Sequence, residues 1–169
     1  MILEYLLLVA KHGDSGRLAL VHAGHGGRVI HGLHRRSALR RPLVLDRGGL
    51  VLVLSVLGGS QGATILGTLV PDALEMIDTP LRDNIRIYQQ ARPEQIDNLK
   101  ARYRALGITA SIKPFFTNMP DLLAKSDLVI SRSGASSIAE LAATGRASLM
   151  LPLPSAMDEH QKANALQME

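Results

Sequence analysis

LVLVLSVLGGSQGA, residues 50–63, decides how the rest of the chain is read. Leu50 to Leu57 is an aliphatic run of strand length interrupted only by Ser55, and continuous rather than alternating apolarity marks a strand buried on both faces, as in a parallel sheet. A glycine-rich turn, Gly58 to Gly62, follows it. Ala63 to Met76 then reads as a helix with Ile65, Leu66, Leu69, Ala73 and Met76 on one face, weakened by Gly67 and Pro71.

The same alternation continues downstream. Asn84 to Gln89 reads as a strand. Pro93 sits where a helix begins, and Ile96, Leu99, Tyr103 and Leu106 recur at helical spacing until Gly107. Thr109 to Lys113 predicts a strand, Met119 to Lys125 a short helix, and Asp127 to Ser131 a strand. Ala135 to Thr144 predicts a helix stopped by Gly145, Ala147 to Leu151 a strand, and Asp158 to Met168 a last helix. This rhythm predicts an α/β fold, a Rossmann-like parallel sheet with helices on both faces. Ligands of such sheets bind at the carboxyl ends of the strands. Three strand-to-helix turns therefore hold the candidate chemistry: Gly58 to Thr64, Arg132 to Ser137, and Pro152 to Gln161.

At 169 residues the chain is long enough for one core, or one core and an arm. Residues 1–50 hold eight Lys and Arg against three Asp and Glu, with five of the six histidines, whereas residues 51–169 hold eleven against twelve. The basicity thus belongs to an arm, residues 1–49, and not to the domain, residues 50–169. The absence of cysteine excludes a disulfide scaffold, a thiolate metal site and a cysteine nucleophile. Met1 to Ala10 is apolar but carries Glu4 and is half the roughly 20 residues of a membrane span, so no transmembrane segment is expected. Aromatic residues are only 3% of the chain, too few for stacking platforms that read single-stranded nucleic acid.

In the first turn, Gly58, Gly59, Ser60, Gln61 and Gly62 lie between a strand and a helix start. Backbone N–H groups there approach an anion closely, with a hydroxyl and the helix dipole in support. The alternative is a tight turn in which glycine supplies only φ > 0. The spacing is neither that of a P-loop nor of a dinucleotide fold. In the second turn, either Ser136 or Ser137 caps the helix and Glu140 completes a capping box with Ser137, or the small residues leave the helix end open to an anion and Glu140 accepts from ligand hydroxyls. In the third, His160, Gln161 and Asn164 fall within one turn. They mark either a sugar-binding edge or a solvated helix face.

Together GGSQGA, DLVISRSGASSIAELAATGRASLMLPLP and HQKANA, in this order and spacing, resemble the donor-binding half of glycosyltransferase family 28 over residues 50–169, with Tyr88-Gln89-Gln90 and Phe115-Phe116 between the motifs. The resemblance implies the second domain of a GT-B enzyme, inverting at the anomeric carbon, with no metal or other cofactor. It implies transfer of N-acetylglucosamine from UDP-GlcNAc to undecaprenyl-pyrophosphoryl-MurNAc-pentapeptide (lipid I to lipid II) for peptidoglycan, on the cytoplasmic face of the bacterial membrane. By the same resemblance Gly58, Gly59, Ser60, Gln61 and Gly62 hold the UDP diphosphate, joined by Arg132, Gly134, Ala135, Ser136 and Ser137. Glu140 binds the ribose, and Gln161 the GlcNAc hydroxyls beside His160 and Asn164. Two helix amino ends facing a diphosphate stabilise departing UDP without a metal.

The arm departs from the family. An acceptor domain with a histidine base, and a linker arginine, are expected ahead of this half, but none of Arg35, Arg36, Arg40 and Arg41 matches by motif, so no catalytic residue is assigned. The family also continues beyond Glu169, so the domain is expected to be incomplete at its carboxyl end, and activity of the chain alone weak or absent. The pairs His22/His25 and His31/His34 lack supporting carboxylates, and no metal site is expected. Two other readings stand beside the enzyme: a donor-binding subunit of a split glycosyltransferase, or a polyanion- or membrane-binding module using the basic arm, which suits an anionic bilayer. No nucleic-acid partner is expected of the domain.

Overall fold

The computed structural model describes residues 23, 24, 27, 28, 30–32, 45, 46, 49–59, 64–151, 160, 161 and 163. Five short strands come first: β1 (Ala23–Gly24), β2 (Gly27–Arg28), β3 (Ile30–Gly32), β4 (Leu45–Asp46) and β5 (Gly49–Leu50). The regular alternation follows as β6 (Leu52–Leu57), α1 (Leu66–Glu75), α2 (Thr79–Arg82), β7 (Ile85–Gln90), α3 (Pro93–Ala105), β8 (Thr109–Lys113), α4 (Met119–Lys125), β9 (Leu128–Ser131), α5 (Ala135–Thr144) and β10 (Ser148–Met150).

The main sheet runs β3-β10-β9-β6-β7-β8. Its last five strands are mutually parallel, and β3 pairs antiparallel with β10 at one edge. From β6 the chain steps outward through α1 and α3 to β8. It then crosses back by α4 to β9, on the other side of β6. The order of the strands therefore reverses between β6 and β9, and ligands of open α/β sheets bind at such a switch point.

The sheet separates two cores. Leu54 and Val56 of β6 pack with Leu66, Val70 and Leu74 of α1, and with Leu99 and Tyr103 of α3. Leu57, Val129 and Met150 point the other way, against Leu122 and Leu123 of α4 and Leu141 of α5. Burial on both faces accounts for the nearly continuous apolar run in β6, since neither set of alternating side chains meets water. On the second face Lys125 Nζ lies 3.7 Å over the Tyr88 ring, which meets Phe116 edge-on at 6.4 Å.

Most predicted elements recur within a residue or two, and β8, α4 and α5 recur at the expected bounds. The expected apolar face of α1 is corrected only at its ends: Leu66, Leu69 and Ala73 do pack on the core, Ile65 and Met76 are exposed, and Val70 and Leu74 join Leu66 in the fully buried stripe. Pro71 lies inside the helix and is itself buried. Gly67 has a packing reason: a Cβ there would come within 2.9 Å of Gln95 Nε2 on α3. Helix α5 ends as expected, with Gly145 at φ 58°. Of the last predicted helix, His160, Gln161 and Ala163 are helical, and the rest lies outside the described residues.

Candidate functional site

The register that joins β6 to β9 builds the site. Leu57 is paired with Ser131 at the carboxyl ends of the two strands, so Gly58-Gly59 and Arg132-Ser133-Gly134 leave the sheet side by side at the switch point. This register is set at the opposite end of the strands. Asp127 Oδ2 accepts the Val53 N–H at 2.7 Å, while the Asp127 N–H donates to the Val53 carbonyl at 2.9 Å. Beneath the strands, Ser126 Oγ donates to the Leu122 carbonyl at 2.7 Å and lies 2.6 Å from Ser55 Oγ. With its one proton so used, Ser126 accepts from Ser55.

Gly59 has φ 74°, a left-handed conformation that favours glycine, and no atom of the described residues lies within 4 Å of where its Cβ would stand. Gly134 has φ −68° and ψ 152°, open to any residue, and its Cβ position is equally uncrowded among the described residues. Neither backbone strain nor packing among the described residues explains the glycine at 134.

Gly134 is the N-cap of α5, and no side chain caps that end. This corrects the alternative in which Ser136 or Ser137 caps the helix and Glu140 closes a box with Ser137. The chain turns helical directly at Ala135, so Ser136 and Ser137 already lie in the first turn. Glu140 is the sixth helical residue, about 7.5 Å along the axis and exposed. The N–H groups of Ala135, Ser136 and Ser137 have no carbonyl one turn back, the first intrahelical bond being Ile138 N–H to Gly134 O at 3.0 Å.

The helices divide accordingly. Helix α3 carries Glu94 in its first turn, and α4 has Asp121 there with Asn118 Oδ1 as its cap. Among the described residues, helices α1 and α5, which follow the two turns at the switch point, have no acidic residue in the first turn and no side-chain cap. Both present amino-terminal partial positive charge at the carboxyl end of the sheet, an arrangement suited to an anion.

Among the other predicted site residues, Arg132 is buried, His160 is exposed and Gln161 is half-buried. Ser60, Gln61, Gly62 and Asn164 lie outside the described residues, as do His22, His25, His34, Arg35, Arg36, Arg40 and Arg41. Ser131, at the end of β9, is fully buried with no hydrogen-bond partner for its Oγ. Sequence reasoning also passed over Gln90, whose Nε2 donates to the Pro114 carbonyl at 3.1 Å and so ties down the entry to Phe115-Phe116. The Gln-Gln pair itself was the available signal, since consecutive strand residues serve opposite faces. No helix among the described residues is long and apolar enough to cross a membrane.

Comparison with known proteins gives one family, described as the glycosyltransferase family 28 C-terminal domain, matching residues 53–169. A Granulibacter bethesdensis protein named UDP-N-acetylglucosamine--N-acetylmuramyl-(pentapeptide) pyrophosphoryl-undecaprenol N-acetylglucosamine transferase is 50% identical over 115 residues, which are 68% of this chain and 30% of that protein. The Rhodospirillum rubrum protein of the same name is 48% identical over 119 residues, 70% of this chain and 31% of its own length. The chain thus spans about three-tenths of the curated relatives it matches. Among solved structures, Acinetobacter baumannii MurG superposes with a TM-score of 0.61 at 31% identity, over 72% of this chain and 36% of that one.

Proposed function

The chain belongs to the glycosyltransferase family 28 C-terminal domain family, and from that premise we propose that it is the donor-binding part of an inverting N-acetylglucosaminyltransferase. The reaction is transfer of GlcNAc from UDP-GlcNAc to lipid I, giving lipid II for peptidoglycan. The observation that carries the reading is the pair of uncapped, acid-free helix starts, α1 and α5, on either side of the switch point. A nucleotide diphosphate is the ligand class that suits them.

In this reading Gly58, Gly59, Ser60, Gln61 and Gly62 cradle the diphosphate from one side. Arg132, Gly134 and the N–H groups of Ala135, Ser136 and Ser137 complete it from the other. Donors fixed in place before reaction stabilise negative charge on departing UDP with no reorganisation, so the chemistry calls for no metal. Glu140, more than a turn into α5, accepts from the ribose hydroxyls, and Gln161, with His160 and Asn164, selects the sugar. No described residue is assigned as the base or to the acceptor, so this stretch is read for donor binding, and transfer needs the two substrates held together. Its setting is the cytoplasmic face of the membrane, which the basic segment before residue 50 helps to contact.

Calorimetric titration with UDP-GlcNAc, UDP-glucose and UDP tests this, repeated with Glu140→Ala and Gln161→Ala. We expect binding of all three, weakening of all three in Glu140→Ala, and loss of the preference for GlcNAc in Gln161→Ala. Absence of heat with every nucleotide overturns the reading.

A further inference from the structure

The core on the α1 and α3 side is aliphatic except for one buried polar pair. Tyr103 of α3 and Gln89 of β7 are 1% and 0% exposed. The Tyr103 O–H donates to Gln89 Oε1, which leaves the Gln89 Nε2 turned to the Leu66 carbonyl at 3.4 Å, in the first turn of α1. A second carboxamide arrives nearby: Gln95 Nε2, from α3, donates to the Thr64 carbonyl at 3.3 Å. Gly67 leaves room for that approach. Thr64 O already accepts the Gly67 N–H at 3.0 Å, and Ile65 O those of Thr68 and Leu69 at 3.2 and 2.9 Å. The start of α1 is thus held from outside at two carbonyls of one turn, Thr64 and Leu66.

Packing alone does not call for this arrangement. A phenol and a carboxamide in an apolar core cost desolvation that leucine, methionine or phenylalanine would avoid. What the polar pair supplies is direction. The Leu66 carbonyl, which can only accept, takes the carboxamide nitrogen, and the Tyr103 hydroxyl, by donating to the oxygen, holds the Gln89 side chain in that orientation. Burial pushes the Tyr103 phenol well above the usual tyrosine value, so it remains a donor throughout the neutral range.

We infer that Tyr103 and Gln89 are positioning residues that act through the first turn of α1, holding its amino end in place for the nucleotide diphosphate. The inference rests on the nucleotide-sugar reading above and goes beyond it. Neither residue touches the ligand, and their effect reaches it only through backbone N–H groups that work when fixed in advance.

Tyr103→Phe keeps the ring and removes the donor, and Gln89→Met keeps the volume and removes the carboxamide. Leu106→Ala, a half-buried residue against the same core, serves as a control for general loss of packing. Amide exchange by NMR should accelerate at least tenfold at Gly67, Thr68 and Leu69 in Tyr103→Phe, with Ile138 of α5 unchanged. At 10 °C, where folding is verified by circular dichroism, the Kd for UDP should rise about fivefold in either variant and no further in the double variant, because the two act as one unit. Leu106→Ala should lose stability and keep its Kd. Uniform acceleration across the chain, or an unchanged Kd in a folded Tyr103→Phe protein, overturns the inference. If the unsubstituted chain gives no heat with UDP, the nucleotide reading and the link to it fall together. The exchange pattern then separately decides whether the clamp on α1 exists.

Discussion

Replacing Gly134 with alanine separates what the fold requires from what the ligand requires. At φ −68° and ψ 152°, with no atom of the described residues within 4 Å of the Cβ position, the new methyl meets neither strain nor a described neighbour. Restricting the unfolded chain gains about 0.4–1 kcal/mol, and exchanging glycine for alanine at an N-cap costs a comparable amount, up to about 1 kcal/mol. The two effects offset, and the melting temperature should move by no more than about 2 °C. Binding should respond differently, because the methyl stands at the uncapped start of α5, where the N–H groups of Ala135, Ser136 and Ser137 are presented. Loss of one charge-assisted hydrogen bond to phosphate costs about 1.5–3 kcal/mol, roughly a 10- to 150-fold weaker Kd. Calorimetric titration with UDP beside a thermal melt checks both quantities. A Kd within threefold of the unsubstituted chain refutes the reasoning, and so does a melting temperature more than about 5 °C lower.

The remaining predictions concern other parts of the fold. Gly59→Ala, at φ 74° with no steric neighbour among the described residues, should lose about 1–2 kcal/mol by backbone strain alone in urea denaturation. Asp127→Ala removes the acceptor for the Val53 N–H and should cost about 1–3 kcal/mol, most of it restored in Asp127→Asn, which keeps a carbonyl oxygen; equal losses in both would point to the charge instead. Arg102 bridges Asp72 and Glu75 at 2.7 and 2.6 Å, and these bonds hold its guanidinium above the ordinary value. Its partners are half-exposed, so Arg102→Ala should cost less than about 1 kcal/mol and the difference should shrink in 1 M salt. Tyr103 is held above its unfolded pKa, so its contribution is complete below about pH 10 and lost as pH rises beyond it. The stability of the unsubstituted chain should therefore fall relative to that of Tyr103→Phe as pH rises above about 10, whereas parallel curves would show that Tyr103 does not titrate against folding.

Local pattern made most of the sheet legible. β6 and α3 announce themselves through an aliphatic run and a helical recurrence closed by Pro93 and Gly107, signals that are complete within a dozen residues. On α1 the expected face rightly holds Leu66, Leu69 and Ala73 but takes in the exposed Ile65 and Met76 and leaves out Val70 and Leu74, because all of these recur at helical spacing and only the position of the sheet selects the buried stripe. Helix α2 has four residues, too few to show a period. At the site, spacing located the turns, yet it left cap and ligand readings of α5 open, because Ser-x-x-Glu looks the same whether the helix begins before or after the serine. The backbone at Gly134 and Ala135 decides that question. Tyr103 and Gln89 were out of reach, since fourteen residues separate them and each fits its own element as an ordinary core residue.

The site's geometry is determined at the edge of the sheet farthest from it. Asp127 and Val53 exchange two hydrogen bonds where β6 and β9 begin, and Leu54↔Leu128, Ser55↔Val129, Val56↔Ile130 and Leu57↔Ser131 follow in step. A slip of β9 by one residue would turn Val129 toward α1 and α3 and put Leu128 and Ile130 beneath α4 and α5 while β6 kept its faces, so the two strands would no longer serve the same cores. It would also move Gly58 about 3.3 Å relative to Arg132, enough to part the two turns from a shared phosphate. A change at Asp127, about 13 Å from the turns, should therefore lower stability and nucleotide affinity together, whereas Gly134→Ala should lower affinity alone. Affinity lost with stability in both variants would mean that the turns follow the packing of the helices rather than the register of the strands.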